Sequence, residues 1–201
     1  MMKFYYSQLS PYARKCRILM LEKGLSGKVE MIESHPLDNA PELIAANPLG
    51  RVPALITDDG MALCESPVIC EYLDYLSPDN RFIPEKGKER IDALALAALC
   101  DGIMDSAVAC VLEGRRPEDK RYPLWVERKE NAARRAVAQL ASQLPTLDQF
   151  HIGVVGAVVA LQYLVFRLPH IDWLTPHPQL SPWLEAHNAR PSVKQTAPAA
   201  K

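Results

Sequence analysis

Along the first eighty residues the apolar positions alternate between a period of two and a period of three to four, and each switch marks an element. KFYYS (3–7) is an aromatic-rich strand pattern, and from Pro11 to Lys23 the spacing of Cys16, Leu19, Met20 and Lys23 predicts a helix stopped by Gly24. VEMIE (29–33) reads as a second strand, and the proline-marked stretch after it holds one short helix around Pro41 to Ala46. VPALITDDGMALCES carries two short apolar runs about Asp58-Asp59-Gly60, a hairpin by composition. Val68, Ile69, Tyr72, Leu73 and Leu76 then share one face of a helix from Pro67 to about Leu76. The predicted order is β-α-β-α-β-β-α over residues 1–78. A parallel opening pair is joined by an antiparallel hairpin in one mixed-sheet α/β domain.

SPDNRFIPEKGKER (77–90) changes the composition to proline, glycine and charge, which predicts a linker over 79–89. Beyond it the strand signals vanish. Ile91 to Glu113 is rich in alanine and leucine, Leu124 to Leu144 carries many charges, and Ile152 to Arg167 is nearly all apolar and reads as a central buried helix. A last short helix around Ser181 to Asn188 completes an all-helical domain over 90–190. The tail PSVKQTAPAAK (191–201) reads as disordered by composition.

Composition narrows the function classes. Lys plus Arg number 23 against 24 Asp plus Glu, a net charge of -1, so no whole-protein field draws in nucleic acid or an anionic membrane. The basic pairs Arg115-Arg116, Lys120-Arg121 and Arg134-Arg135 alternate with acidic residues as on a solvated helix face, with no aromatic platform beside them. The five cysteines are odd in number, form no C-x-x-C pair and lie in apolar surroundings, which reads as reduced core thiols of a cytoplasmic protein. No Cys/His spacing predicts a metal site. Ile152 to Leu164, taken as the longest weakly polar run, is shorter than the roughly 20 residues that cross a bilayer.

Chemistry concentrates in three places of the first domain. Ser10 precedes Pro11, which makes it a natural helix N-cap; the same hydroxyl can accept from the helix and donate outward to an anion. Val52-Pro53, in Asn47-Pro48-Leu49-Gly50-Arg51-Val52-Pro53, enters a strand either as an ordinary trans proline or as a cis bond. In the cis case the Val52 backbone can pair with an extended peptide. Glu65-Ser66-Pro67 opens the next helix, either as a plain cap or as a cradle for an amino-acid head group, its carboxylate on the helix start and its ammonium on Glu65.

The order of these three segments, with Glu65-Ser66-Pro67-Val68-Ile69-Cys70-Glu71-Tyr72-Leu73 closing the set, resembles the thioredoxin-like domain of the glutathione S-transferase family. The helical half, including AALCDGIMDSA (97–107), is similar to bacterial GST-like proteins of the YibF type. The resemblance implies the GST fold, a homodimer, and glutathione as co-substrate for attack on a small electrophile. It implies that Ser10 stabilises the thiolate, that Val52 and Pro53 hold the cysteinyl backbone, that Glu65 and Ser66 hold the γ-glutamyl end, and that His35 reaches the glycyl end. It places an acceptor pocket between Leu9 and Tyr12 on one side and Asp101, Met104, Asp105 and Val108 on the other. Asp101 and Asp105 also fit a solvated or interface helix face.

Redox relatives carry cysteine in place of Ser10, and in the dithiol form another at Ala13, so the chain departs from thiol-disulfide chemistry. It also departs at His151-Ile152-Gly153-Val154, where the family's Ser/Thr-x-x-Asp box is missing and Gly156 loosens the same turn, predicting a less stable or altered helix start. Two alternatives to the transferase follow: a non-catalytic binding or interaction module, and a glutathione-dependent reductase, peroxidase or isomerase on the same fold.

Overall fold

Four short strands pair in the order β2-β1-β3-β4 in the computed structural model, which describes residues 1–143 and 149–198. They are β1 (Met2–Tyr6), β2 (Val29–Glu33), β3 (Ala54–Ile56) and β4 (Ala62–Cys64). β1 runs parallel to β2 and antiparallel to β3, and β3 turns back into β4. Side chains alternate across the sheet, so the cross-strand partners Tyr5 and Ala54 share one face and Phe4 and Leu55 the other. The first face meets Leu43 and Ala46 of α2 (Pro41–Ala46), with Val52 in the same core cluster. Phe4 and Leu55 are wholly buried as well. Helices α1 (Pro11–Glu22) and α3 (Ser66–Tyr75) complete the thioredoxin-like arrangement.

The chain forms two compact units: Met1–Glu85 with Arg190–Lys201, and Lys86–Ala189. Much of the segment expected as a linker is therefore built into the first unit. Asp74, buried on α3, accepts the backbone N–H groups of Phe82 at 2.8 Å and Ile83 at 3.1 Å, and Phe82 and Ile83 are buried in turn. The segment expected as a disordered tail also departs from that reading. Its first residues form α8 (Pro191–Gln195), with Ser192, Val193 and Thr196 buried; residues 199–201 lie outside the described residues.

The second unit contains α4 (Gly87–Gly114), α5 (Pro123–Gln143), α6 (Ile152–Arg167) and α7 (Leu180–Asn188). Leu144, expected to end the second of these, lies outside the described residues. Among the described residues α4, not the run at Ile152, is the helix long and apolar enough to cross a bilayer by length and composition. It carries Cys100, Ile103, Met104 and Ala107 into the interior.

The start of α6 is altered and not uncapped, and the expectation for Gly156 needs correcting. His151 sits in extended backbone at the N-cap, and its Nδ1 accepts the Gly153 N–H at 3.1 Å. Imidazole thus does the work of the missing hydroxyl. Gly156 is a packing device and not a loosened turn, because a Cβ there would lie 3.1 Å from Cys100 Cβ on α4. At Gly153 it would meet three Leu96 side-chain atoms at 2.9 Å. The absence of Cβ at both positions lets α6 lie directly against α4.

The histidine cap is pH-dependent. Burial pushes the His151 imidazole below its ordinary range, and only neutral Nδ1 can accept the Gly153 N–H. Unfolded histidine binds its proton near pH 6.5, above the folded value, so the unfolded state holds more protons as pH falls through that window. The cap's contribution is complete above about pH 6.5 and is lost below it. Replacing His151 with alanine is expected to cost about 1 kcal/mol at pH 7.5 and to flatten the acid limb of stability. Urea unfolding of wild type and variant at pH 7.5 and 5.5 checks both.

Candidate functional site

Strand register brings the three segments to one end of the sheet. Tyr6 pairs with Glu33, so β1 and β2 finish together and deliver the loops that carry Ser10 and His35. Tyr5 pairs with Ala54, and Ala54 in turn with Cys64. Val52-Pro53 therefore enters beside the end of β1, and Glu65-Ser66 leaves beside the start of β3. In sheets of this kind ligands gather at the carboxyl ends of parallel strands.

Ser10 is half-buried at the N-cap of α1, with φ −82° and ψ 118°, and Pro11 fills the first helical position. Its Oγ accepts the Ala13 N–H at 3.2 Å and its carbonyl accepts the Arg14 N–H at 3.0 Å. A hydroxyl that accepts through a lone pair keeps its own proton to donate, so capping leaves the outward role open. The twelve-residue α1 directs the positive end of its dipole to the same place.

Val52-Pro53 is cis, and both residues are buried. The loop before them is organised by Asn47, a residue the sequence reading passed over. Its amide donates to the Arg51 carbonyl at 2.9 Å, its Oδ1 accepts the Leu49 N–H at 3.0 Å, and its backbone carbonyl accepts the Gly50 N–H at 2.8 Å. Asn47 is 1% exposed, and Gly50 takes φ 61° within the same turn. The signal was present as Asn-Pro followed by Gly, a turn in which an asparagine side chain bonds to the backbone two residues on.

At the third segment the cap position is shifted by one. Glu65 occupies the N-cap of α3, and buried Ser66 is the first helical residue; no side chain caps this helix. Glu65 stands at φ 67°, ψ 126°, a region that costs a non-glycine residue roughly 1–3 kcal/mol. It is exposed, and its carbonyl accepts the Ile69 N–H at 3.1 Å. Backbone held in such a state is a mark of functional sites.

His35 caps a single 3-10 turn (Pro36–Asp38), its Nδ1 accepting the Leu37 N–H at 3.3 Å and standing 3.6 Å from Asp38. Leu9 is exposed and Tyr12 half-buried at the start of α1. The remaining expected residues lie on α4 in the second unit. Asp101 and Val108 are half-buried and Asp105 is exposed, whereas Met104 is wholly enclosed and so belongs to the interior and not to an open pocket wall.

The cysteines do not enter this site as nucleophiles. Cys16 and Cys70 are both fully buried with Sγ atoms 3.7 Å apart, and Cys16 donates to the Ser66 carbonyl at 3.8 Å. Cys64 directs its thiol to the Ala46 carbonyl at 3.8 Å, and burial, helped by the charge of Glu65, pushes it up, away from the thiolate.

Comparison with known proteins shows the family and the fold. Residues 9–76 match the family model described as glutathione S-transferase, N-terminal domain. An uncharacterized GST-like protein, YibF of Escherichia coli (strain K12), is 31% identical over 98% of this chain and 98% of its own. A glutathione transferase family member from Pseudomonas fluorescens Pf-5, solved with bound glutathione, superposes with a TM-score of 0.94 at 36% identity, covering 100% of both chains. A glutathione S-transferase from Methylobacillus flagellatus KT with bound glutathione gives 0.92 at 36% identity, over 99% of this chain and 100% of that one.

Proposed function

Because the chain belongs to the glutathione S-transferase family, we propose that it binds glutathione at the sheet end described above and promotes attack of the thiolate on a small electrophile. The observation that carries this reading is the register that brings the segments of Ser10, Val52-Pro53 and Glu65-Ser66 to one end of the sheet.

In this reading the tripeptide lies extended along Val52, whose backbone N–H and carbonyl hold its cysteinyl residue. Glu65 takes the γ-glutamyl ammonium, and the Ser66 hydroxyl with the first N–H groups of α3 takes the carboxylate. His35, whose Nδ1 is used in its own turn, offers its other ring nitrogen to the glycyl carboxylate. The thiol then sits at Ser10. A thiol of this kind ionises near pH 8.5 in water, so a donated hydrogen bond and the α1 dipole raise the thiolate fraction at neutral pH. The sulfur forms its bond to an electrophilic carbon as the leaving group departs with its electron pair. Leu9 and Tyr12, beside Ser10 at the start of α1, are the candidate acceptor-side residues of this unit.

The protein works as a cytoplasmic homodimer in this account. Val68 and Tyr75, seven apart on α3 and 50% and 71% exposed, offer a second copy an apolar face. The non-catalytic alternative drew its weight from a damaged start of α6, and the His151 cap removes that argument. Calorimetric titration with glutathione is expected to show saturable binding below millimolar concentration. A paired assay with an aromatic halide and a hydroperoxide is expected to favour the halide. A flat titration at millimolar glutathione would sink the proposal, and turnover of the hydroperoxide alone would move it to the peroxidase reading.

A further inference from the structure

Arg14 is an expensive residue in an unexpected place. It lies in the first turns of α1, where a cation opposes the helix dipole, and it is 4% exposed. Burial and the neighbouring charge of Arg17 push its guanidinium down to about 10, which still leaves it charged at neutral pH. Stability alone does not account for such a group, since well-packed apolar side chains often replace buried charges at no loss.

What Arg14 does is grip the returning C-terminal segment. Its Nε donates to Thr196 Oγ1 at 3.4 Å and its Nη2 to the Val193 carbonyl at 3.2 Å. Thr196 donates its own hydroxyl proton to the Ser192 carbonyl at 2.8 Å, which frees a lone pair for Arg14. The Val193 carbonyl belongs to the last turn of α8, where it has no helical N–H partner; it also lies 3.3 Å from the Thr196 hydroxyl, so Arg14 and Thr196 meet at one acceptor.

A second grip holds the other end of α1. Glu22 takes Arg190 in a two-pronged pair at 3.1 and 2.8 Å and accepts the Ser192 hydroxyl at 2.5 Å. Burial raises this carboxyl, but the bonds from Arg190 and Ser192 and the Arg190 charge outweigh it and hold it below the usual range. Arg14 and Glu22 are eight residues apart, about 12 Å along the helix. The segment Arg190–Thr196 therefore fastens α1 at two points.

We infer that Arg14 is a positioning residue for Ser10, and that the C-terminal segment is the anchor that makes it one. The inference rests on the role proposed above for Ser10. The strapped residue and the serine share one turn, because the Arg14 N–H is the donor to the Ser10 carbonyl. Fixing the Arg14 side chain fixes the rotation of that turn and so the direction of the Ser10 O–H. Misplacement by a fraction of an ångström is enough to weaken such a contact.

The test uses the full chain with Arg14→Met, Arg14→Lys and Thr196→Val, and two readouts. Without ligand, amide hydrogen exchange at Ala13 and Arg14 is expected to speed up about tenfold in Arg14→Met while the sheet amides are unchanged. With saturating glutathione, the thiolate fraction at pH 7 is expected to fall about threefold. Arg14→Lys should restore part of both, and Thr196→Val should move both in the same direction. Should Arg14→Met not fold, Thr196→Val decides on the same readouts. A lower melting temperature with both readouts at wild-type values, or exchange that rises evenly over the sheet, overturns the inference. If the wild type takes no glutathione, the proposed function fails by that result, and the exchange readout alone decides whether the strap holds the turn.

Discussion

Replacing Asp74 with alanine is expected to lower the unfolding free energy by about 3–5 kcal/mol, the usual cost of leaving a buried charge without its partner. Lys23 and Asp74 have side chains 0% and 3% exposed and stand 2.8 Å apart. The Lys23 ammonium also reaches the carbonyls of Asp74 at 3.0 Å and of Ser77 and Asn80 at 2.5 Å each. The carboxylate in turn receives the Phe82 and Ile83 amides, so one substitution leaves a buried ammonium without its counter-charge and two backbone donors without their acceptor. The pair ties the end of α1 and the end of α3 to the segment that leads out of the first unit. Denaturant unfolding is expected to show a lower midpoint at unchanged slope, with melting lower by about 10 °C. Asp74→Asn, which keeps the volume and one acceptor, should lose less. A loss under about 1 kcal/mol for the alanine variant would mean that this cluster is not what holds 80–83 in place.

Ser10→Ala carries the largest expected effect on activity. Removing a single preorganised donor from a developing or resting anion commonly costs about 10²–10³ in turnover. The same substitution deletes the cap that accepts the Ala13 N–H, at about 1 kcal/mol of stability. The two effects separate with a second variant. Ser10→Asp keeps an acceptor for the helix while losing the donor, so it should recover stability and not turnover, whereas Ser10→Thr should recover both. Steady-state kinetics with an aromatic halide, run beside thermal melts of the three variants, checks this. Unchanged turnover in Ser10→Ala would leave Ser10 as a cap alone.

Local pattern was enough for most elements of the first unit because their residues serve one periodicity each: VEMIE is β2 and PELIAA is α2, residue for residue. What escaped the reading depends on partners distant in sequence. PSVKQ has neither the length nor the apolar spacing of a helix that stands alone, and it is helical because Arg14 and Glu22 meet it across the first unit. Phe82 and Ile83 looked like linker residues because nothing local announces that Asp74, eight or nine positions earlier, accepts their amides. His151 was passed over as a cap because histidine is not among the usual capping residues, although its Nδ1 reaches the same N–H. The site was legible as an ordered set of segments and not residue by residue. Ser66 reads as a cap by composition, while the strained backbone of Glu65 moves the helix start one place earlier, and no residue type announces a glutamate at positive φ.

The central claim is that glutathione binds here with its thiol ionised by Ser10. It is tested most directly by following the ultraviolet absorbance of the thiolate in saturated complex across pH, for the wild type and for Ser10→Ala. The account predicts that the bound thiol of the wild type titrates well below the roughly 8.5 of a free thiol and that the variant moves back toward it. A wild-type curve that coincides with free glutathione, or a Ser10→Ala curve that coincides with the wild type, would contradict it.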